Sequence, residues 1–321
     1  ESQLYIAFAE LELGSAFDDG ARTVQELAAV SRTDPAALHR FLDAAAAFGL
    51  VEQVESESFA LTRLGRALYA PSSGTSLNNA LKLEGAFYRR WGRLAEGVRS
   101  GSRPEANRAQ EDDPNWVRMF TLALFENARS ATRAVATTLD RILPETHSDR
   151  LHVLDLGGGH GGYSLALSDR RPDARITVFD LPPVIEVTSE LVEMHNKNNR
   201  VSVVAGDFHK DPVGSNFDAV MLFGVLHGET PENAPRLLEI IREALKPEGL
   251  LLIRSQGRST DRKTSGEREL TDLHMLLSTA GGQVRRSQDT QELVTSSGFI
   301  LRENVDIESP GSGAILVFER K

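Results

Sequence analysis

The stretch Val153-Leu154-Asp155-Leu156-Gly157-Gly158-Gly159-His160-Gly161-Gly162 constrains this chain more than any other. An apolar run closes on the carboxylate of Asp155, a glycine-rich turn follows at once, and Tyr163 to Leu167 then reads as a helix. That order specifies a strand, a tight loop and a helix N-terminus, where backbone free of side chains can close on a nucleotide-like ligand. Gly157, Gly159 and Gly162 also satisfy the G-x-G-x-x-G spacing of dinucleotide-binding folds. Asp155 argues against a dinucleotide, because a negative charge where a pyrophosphate must approach opposes a phosphate and suits a cationic or zwitterionic ligand. A glycine-rich turn without any ligand is the plainer alternative.

Downstream, apolar runs at 151–156, 175–179, 201–205, 217–223 and 249–254 alternate with stretches of helical spacing. This is the pattern of a parallel sheet covered by helices on both faces. Gly298 to Asp306 and Gly313 to Glu319 read as strands joined by Ser309-Pro310-Gly311-Ser312, a link too short for a crossover helix, so they should pair as an antiparallel hairpin. We therefore expect an α/β fold with a Rossmann-like sheet whose last strand is reversed.

The second run ends in Phe179-Asp180-Leu181-Pro182, with Asp180 placed to accept hydrogen bonds from two ribose hydroxyls or, alternatively, to cap the helix before Pro182. The third leads into Ala205-Gly206-Asp207-Phe208. There Asp207 could bind an adenine amino group, and Phe208 could stack on the ring or simply pack in the core. S-adenosylmethionine, which carries a sulfonium and an ammonium group and no phosphate, fits these sites together. Its expected contacts are Asp155, Gly157, Gly159, Asp180, Leu181, Asp207 and Phe208.

With 321 residues and no long apolar stretch, the chain reads as soluble, with enough length for two cores and no transmembrane helix or signal peptide. It has no cysteine, which excludes disulfides and thiolate metal ligands and is compatible with a cytoplasmic setting. The net charge of -10 argues against nucleic-acid or anionic-membrane partners.

That charge matters because residues 23–70 imitate a DNA-binding module. Thr23 to Ala28 starts a short helix, Asp34-Pro35 supplies an N-cap and first-turn proline for a second helix to about Phe48, and Val51 to Leu61 alternates like a wing. The would-be recognition helix offers only His39 and Arg40 against Asp43 and the alanines 44–47. Such a face cannot supply the phosphate contacts that dominate DNA affinity, so packing against a second subunit is its better use. Residues 100–114 are the most polar and read as a surface loop between domains. The chain begins at Glu1 inside an amphipathic stretch, from which we expect a preceding segment.

In order and spacing, Asp155 to Gly162, Phe179 to Pro182, Gly206 to Phe208, Val225-Leu226-His227 and Leu245 to Gly249 resemble the small-molecule O-methyltransferases. That family includes caffeic acid and acetylserotonin methyltransferases and many bacterial natural-product enzymes. The resemblance implies a winged-helix-like dimerisation domain over residues 1–90 and a cofactor-binding catalytic domain over 91–321. It also implies a homodimer and a metal-independent reaction, in keeping with the absence of metal-ligand spacing. The helix around Trp116 and Phe120 would line the acceptor pocket, although the same stripe would serve equally as core. Phe223, Asp272 and Met275 complete the expected acceptor set.

His227 follows the apolar run Phe217 to Leu226, so it should lie at the carboxyl end of the fourth strand. There, the resemblance implies, it would remove the proton from the acceptor hydroxyl, a role suited to neutral imidazole. Three departures bear on this. The family commonly reads His-Asp-Trp where this chain has His227-Gly228-Glu229, has a carboxylate where this chain has Arg254-Ser255, and often has another acid where Gln283-Val284 follow Gly281-Gly282. Without those supports His227 should be a weaker base, with Glu229 or Asp272 as candidate substitutes. An acidic acceptor, or an activated ring carbon, would need little base and mainly positioning. Two other readings stand beside methyl transfer: a relative that uses the bound sulfonium in decarboxylation, hydroxylation or pericyclic chemistry, and a ligand-binding dimer without catalysis.

Overall fold

The computed structural model describes residues 1–17, 20–108, 114–145, 150–197, 199–255, 262–308 and 313–321. The turn expected at Ser309-Pro310-Gly311-Ser312 lies outside the described residues. The chain divides into two compact units, one of Glu1–Arg89 with Leu122–Asn127 and one of Arg90–Thr121 with Ala128–Lys321.

The first unit runs through α1 (Ser2–Glu10), α2 (Leu13–Ala16), β1 (Arg22–Thr23), α3 (Val24–Ser31), α4 (Pro35–Ala47), β2 (Val51–Glu55), β3 (Ser58–Leu61), α5 (Arg63–Tyr69) and into α6 (Asn78–Trp91). Local chemistry sets its boundaries. Thr23 and Glu26 form a reciprocal capping box at the start of α3, and Asp34 accepts from Ala37 N at 2.8 Å ahead of Pro35 to start α4. Gly49, at φ 72°, ends α4 and turns the chain into the antiparallel β2–β3 wing. Phe8, Leu27, Leu38, Leu42, Phe59 and Tyr69 fill the core. A less local device starts α6: the buried Glu126 carboxylate accepts from Ala80 N and from Asn79 Nδ2, both at 2.8 Å.

The second unit continues with α7 (Leu94–Ser100), α8 (Glu105–Arg108), part of α9 (Pro114–Ile142), β4 (Leu151–Leu156), α10 (Gly162–Arg170), β5 (Ala174–Asp180), α11 (Pro182–Met194), β6 (Val201–Ala205), β7 (Phe217–Leu222), α12 (Asn233–Ala244), β8 (Leu245–Ser255), α13 (Arg262–Ser278), α14 (Ser287–Ser296), β9 (Phe299–Asp306) and β10 (Ala314–Arg320). Seven strands form one sheet in the order β6-β5-β4-β7-β8-β10-β9. The pairs from β6 to β8 are parallel, and β10 runs antiparallel to both β8 and β9. The expected α/β sheet with one reversed strand is therefore the one observed, with β10 between its neighbours rather than at the edge.

β4 and β7 are buried along almost their whole length, as continuous apolar runs in a doubly covered sheet must be. Against them α12 lays Ala234, Leu237, Leu238, Ile241 and Ala244, a stripe of helical period that is almost fully buried. This packing fixes the carboxyl ends of β4, β5, β7 and β8 along one edge, where open α/β sheets bind ligands.

Two expectations need correction. The surface loop between domains expected over 100–114 is not what the described part shows: α8 lies wholly within the second unit, and buried Asn107 donates from Nδ2 to Leu277 O at 3.1 Å, while residues 109–113 lie outside the described residues. An asparagine in a polar tract gave no sign of that anchor. The apolar run ending at Leu226 is also not one strand, because β7 stops at Leu222 and Gly224, at φ 75°, turns the chain away.

Candidate active site

The glycine loop leaves β4 through Gly157, Gly158, Gly159 and Gly161, of which Gly157, Gly159 and Gly161 have positive φ. Gly162 is instead the first residue of α10, so Gly161, which the G-x-G-x-x-G spacing passed over, carries the third left-handed turn. Gly157 has no room for a side chain, since an added Cβ would lie 2.4 Å from Val225 Cγ2. At Gly159 an added Cβ would meet no atom within 4 Å. The loop is thus packed on one side and open on the other.

Two carboxylates hold this loop from beneath. Asp180, the last residue of β5, accepts from Gly159 N at 2.8 Å through Oδ2 and from Leu181 N at 2.7 Å through Oδ1. Both of its oxygens keep a lone pair for further donors. Burial raises its pKa above the usual carboxylate value, against the lowering pull of those two amides. Asp155 is 2% exposed and accepts from Ser164 Oγ at 2.6 Å. Burial pushes its pKa up to about 7, with Ser164 opposing the rise and the charge of Asp180 adding to it. Asp155 therefore supports the loop from inside rather than facing the open side, and its charge is partly muted near neutral pH.

Asp207 follows β6 and is already engaged, accepting from Lys210 Nζ at 2.7 Å and His209 N at 3.0 Å, which together hold it below the usual carboxylate value. Phe208 is half-buried, its ring 4.6 Å from that of His209 and packed on the main core, so the packing role is real and a stacking role remains open to its other face. Leu181 is exposed beside Asp180.

His227 lies in the turn after β7. Its ring is open to solvent, yet protein crowding and then the charge of Arg285 hold its pKa below the ordinary imidazole value. Among the described residues no hydrogen bond or ion pair reaches this ring. The proposed substitutes are engaged elsewhere: Glu229 faces His209 Nε2 at 3.2 Å, and Asp272 accepts from Val284 N at 2.7 Å. What brackets His227 instead is Arg285, which donates to Leu226 O at 2.5 Å and to Glu229 O at 3.1 Å. Gly282 packs against the same turn, where an added Cβ would come within 2.4 Å of His227 O.

The expected acceptor set is scattered in character. Trp116 is buried, stacked on Phe120 at 5.8 Å and covered by the Arg90 guanidinium at 4.4 Å, which is a core arrangement for at least one face. Phe223 meets Tyr163 edge to face at 5.6 Å beside the glycine loop. Met275 is buried in α13 and Asp272 is exposed. Sequence reasoning missed His274, which accepts from Trp91 Nε1 at 3.3 Å and whose pKa is lowered by burial, Arg90 and His227. It also missed Arg285 and Tyr163; neither lies in a spacing motif, and only the fold brings them here. Among the described residues no group of three metal-ligating side chains occurs, and no helix is long and apolar enough to cross a membrane.

Residues 92–300 match the O-methyltransferase domain family. The chain is 29% identical over 315 residues to the O-methyltransferase SfmM3 of Streptomyces lavendulae, covering 93% of this chain and 91% of that one. It is 29% identical over 290 residues to the 3-amino-4-hydroxybenzoate 4-O-methyltransferase of Streptomyces cremeus, covering 88% of this chain and 77% of that one. Among solved structures it resembles human N-acetylserotonin methyltransferase in complex with S-adenosylmethionine, with a TM-score of 0.79, 27% identity and coverage of 100% and 93% of the two chains.

Proposed function

The chain belongs to the O-methyltransferase domain family, and on that premise we propose that its glycine loop and His227 turn act together to methylate a hydroxyl of a small-molecule acceptor at the expense of S-adenosylmethionine. The observation that carries this reading is the clamp of Asp180 on Gly159, which fixes a carboxylate beside a backbone cradle with open space above it. A ribose diol and a cationic sulfonium suit such a cradle, and a diphosphate does not.

The residues present fit that cofactor. Asp180 would hold the ribose, Leu181 and Phe208 the faces of the adenine, Asp207 its amino group, and Gly157 to Gly161 the amino-acid end. When bound, the cofactor supplies a methyl group made electrophilic by its sulfonium. The protein's part is to place the acceptor oxygen in line with that methyl, to exclude competing water, and to receive the hydroxyl proton on the His227 imidazole. His227 is neutral near pH 7 because its pKa is lowered, so it is free to take the proton. With a guanidinium rather than a carboxylate beside it, the imidazolium that forms is poorly stabilised. This favours an acceptor whose hydroxyl ionises easily.

The first unit serves dimerisation in this reading. Its exposed Val30, Phe48, Val54, Leu64 and Tyr88 offer apolar surface, and the outward charge on α4 is limited, with His39 3.8 Å from Asp43. Light scattering at micromolar concentration should report a dimer, and a monomer would remove this role. For the activity, calorimetry should show binding of S-adenosylmethionine and none of NAD, and mass spectrometry with methyl-labelled cofactor should find label on a hydroxylated metabolite. Binding of NAD in preference would overturn the cofactor assignment.

A further inference from the structure

At the carboxyl end of β8, where the resemblance calls for an acid, stands Arg254. Its Nη1 donates to the Tyr163 hydroxyl, and its guanidinium carbon lies 5.5 Å from the centre of the Tyr163 ring. Tyr163 belongs to the first turn of α10, directly after the glycine loop. Phe223 closes one side of it edge-on at 5.6 Å, and the ring of His160 lies 5.6 Å away on another.

The protons of this cluster can be assigned from its hydrogen bonds. His160 Nδ1 accepts from Gly162 N at 2.9 Å, and burial followed by the charge of Arg254 pushes its pKa down to about 4. The ring is therefore neutral at pH 7, with its single proton on Nε2. Burial raises the pKa of Tyr163, so it stays a phenol, and since its oxygen accepts from Arg254 its own proton remains to be given. A guanidinium, a phenol and an imidazole from β8, α10 and the glycine loop thus gather at the ligand end of the sheet.

We propose that Arg254 and Tyr163, backed by His160, form a corner that binds the carboxylate of a small-molecule ligand. This rests on the methyltransferase reading, which supplies two sources for the group: a hydroxy-acid acceptor, or the amino-acid end of the cofactor. Arg and phenol donors match the planar, singly charged carboxylate. A doubly charged phosphate would be opposed by Asp155 and Asp180 close by, and Asp155, half neutral near pH 7, opposes a single charge far less. The apolar edge of Phe223 would flank the carbon skeleton next to the carboxylate.

Calorimetry on the full chain separates the sources. In one arm, protein saturated with S-adenosylhomocysteine is titrated with 3- and 4-hydroxybenzoate and with the corresponding amides. In the other, the chain alone is titrated with S-adenosylhomocysteine and with 5′-methylthioadenosine, which lacks the amino-acid end. If the acceptor supplies the carboxylate, the acids bind about tenfold more tightly than the amides, Arg254→Gln abolishes the preference, Tyr163→Phe reduces it about threefold and Arg254→Lys keeps part of it. If the cofactor supplies it, Arg254→Gln weakens S-adenosylhomocysteine about tenfold and leaves 5′-methylthioadenosine unchanged. Unaltered S-adenosylhomocysteine affinity in Arg254→Gln, together with no acid binding at millimolar concentration or no preference for acid over amide, overturns the corner. Failure of wild-type protein to bind S-adenosylmethionine would overturn the methyltransferase reading instead, and the retained charge of Arg254→Lys guards against loss through misfolding.

Discussion

The glycine loop and the His227 turn lie at the same edge of the sheet and touch, since Val225 of the turn fills the space where Gly157 would carry a side chain. They are held in opposite ways. In the loop, backbone amides meet carboxylates, with Gly159 N and Leu181 N both bound to Asp180. In the turn, backbone carbonyls meet a guanidinium, with Leu226 O and Glu229 O both bound to Arg285. The first arrangement leaves acidic groups for a cationic ligand; the second leaves a cation beside the group that must accept a proton. Cofactor binding is therefore expected to be well supported by the protein, and proton transfer weakly supported.

The largest effect should come from the point where the two regions meet. Gly157→Ala forces a side chain into a left-handed residue, at about 1–2 kcal/mol, and into contact with Val225, at about 1–3 kcal/mol more. Affinity for S-adenosylmethionine should fall by about 10²-fold or beyond, measured by calorimetry, and Val225→Ala in the same chain should recover the steric part. Wild-type affinity in Gly157→Ala would show that the cradle binds no cofactor.

Asp180→Ala should weaken the cofactor by about 1.5–3 kcal/mol, the range for hydrogen bonds to a charged acceptor. Because the same substitution frees the Gly159 amide, Asp180→Asn, which keeps an oxygen acceptor for one amide, should lose less. An unchanged affinity in both would reduce Asp180 to a support for the loop and the start of α11.

For His227→Ala we expect the methylation rate to drop about 10-fold to 10²-fold with cofactor affinity retained, less than a fully supported base would lose. The acid limb of kcat/KM in the wild type should lie below the ordinary imidazole value of about 6.5, because the base loses activity only when protonated and its pKa is lowered. Arg285→Gln removes the nearby charge, so the limb should move upward. A loss under about threefold, with no pH dependence, would leave positioning as the whole of catalysis.

How much of this was readable beforehand differs between the same two regions. The parallel strands, the reversed β10, the start of α3, the cap of α4 and the loop were legible because each depends on residues a few positions apart whose backbone options are narrow, such as Asp34-Pro35 and Gly157 to Gly161. The surroundings of His227 were not, because Arg285 reaches the adjoining Leu226 carbonyl across 59 positions of chain and arginine at that place fits no spacing rule. Glu229, two residues from His227, pointed the wrong way: its carboxylate turns to His209. Asp155 was located correctly in sequence and misjudged in exposure, since an acid ending an apolar strand can face either the ligand or the core.

That burial of Asp155 leads to the smallest and most specific effect. A carboxyl with a pKa of about 7 is half protonated at pH 7. A cation settling in the loop favours the carboxylate and lowers that pKa, so binding must expel the proton. At pH 7 the release should be about half a proton per cofactor. It should rise toward one as the pH falls to about 6, where the free protein holds the proton more fully, and vanish above about pH 8, where the proton is already gone. Calorimetry in buffers of different ionisation enthalpy reads this number directly. Asp180, whose pKa is also raised by burial, would contribute in the same direction once its oxygens accept from a ribose. Asp155→Asn separates the two, because it keeps a side-chain oxygen for Ser164 and has no proton to lose. Release that persists undiminished in Asp155→Asn would assign the titration to Asp180, and release absent from the wild type would mean that Asp155 already carries its charge before the cofactor arrives.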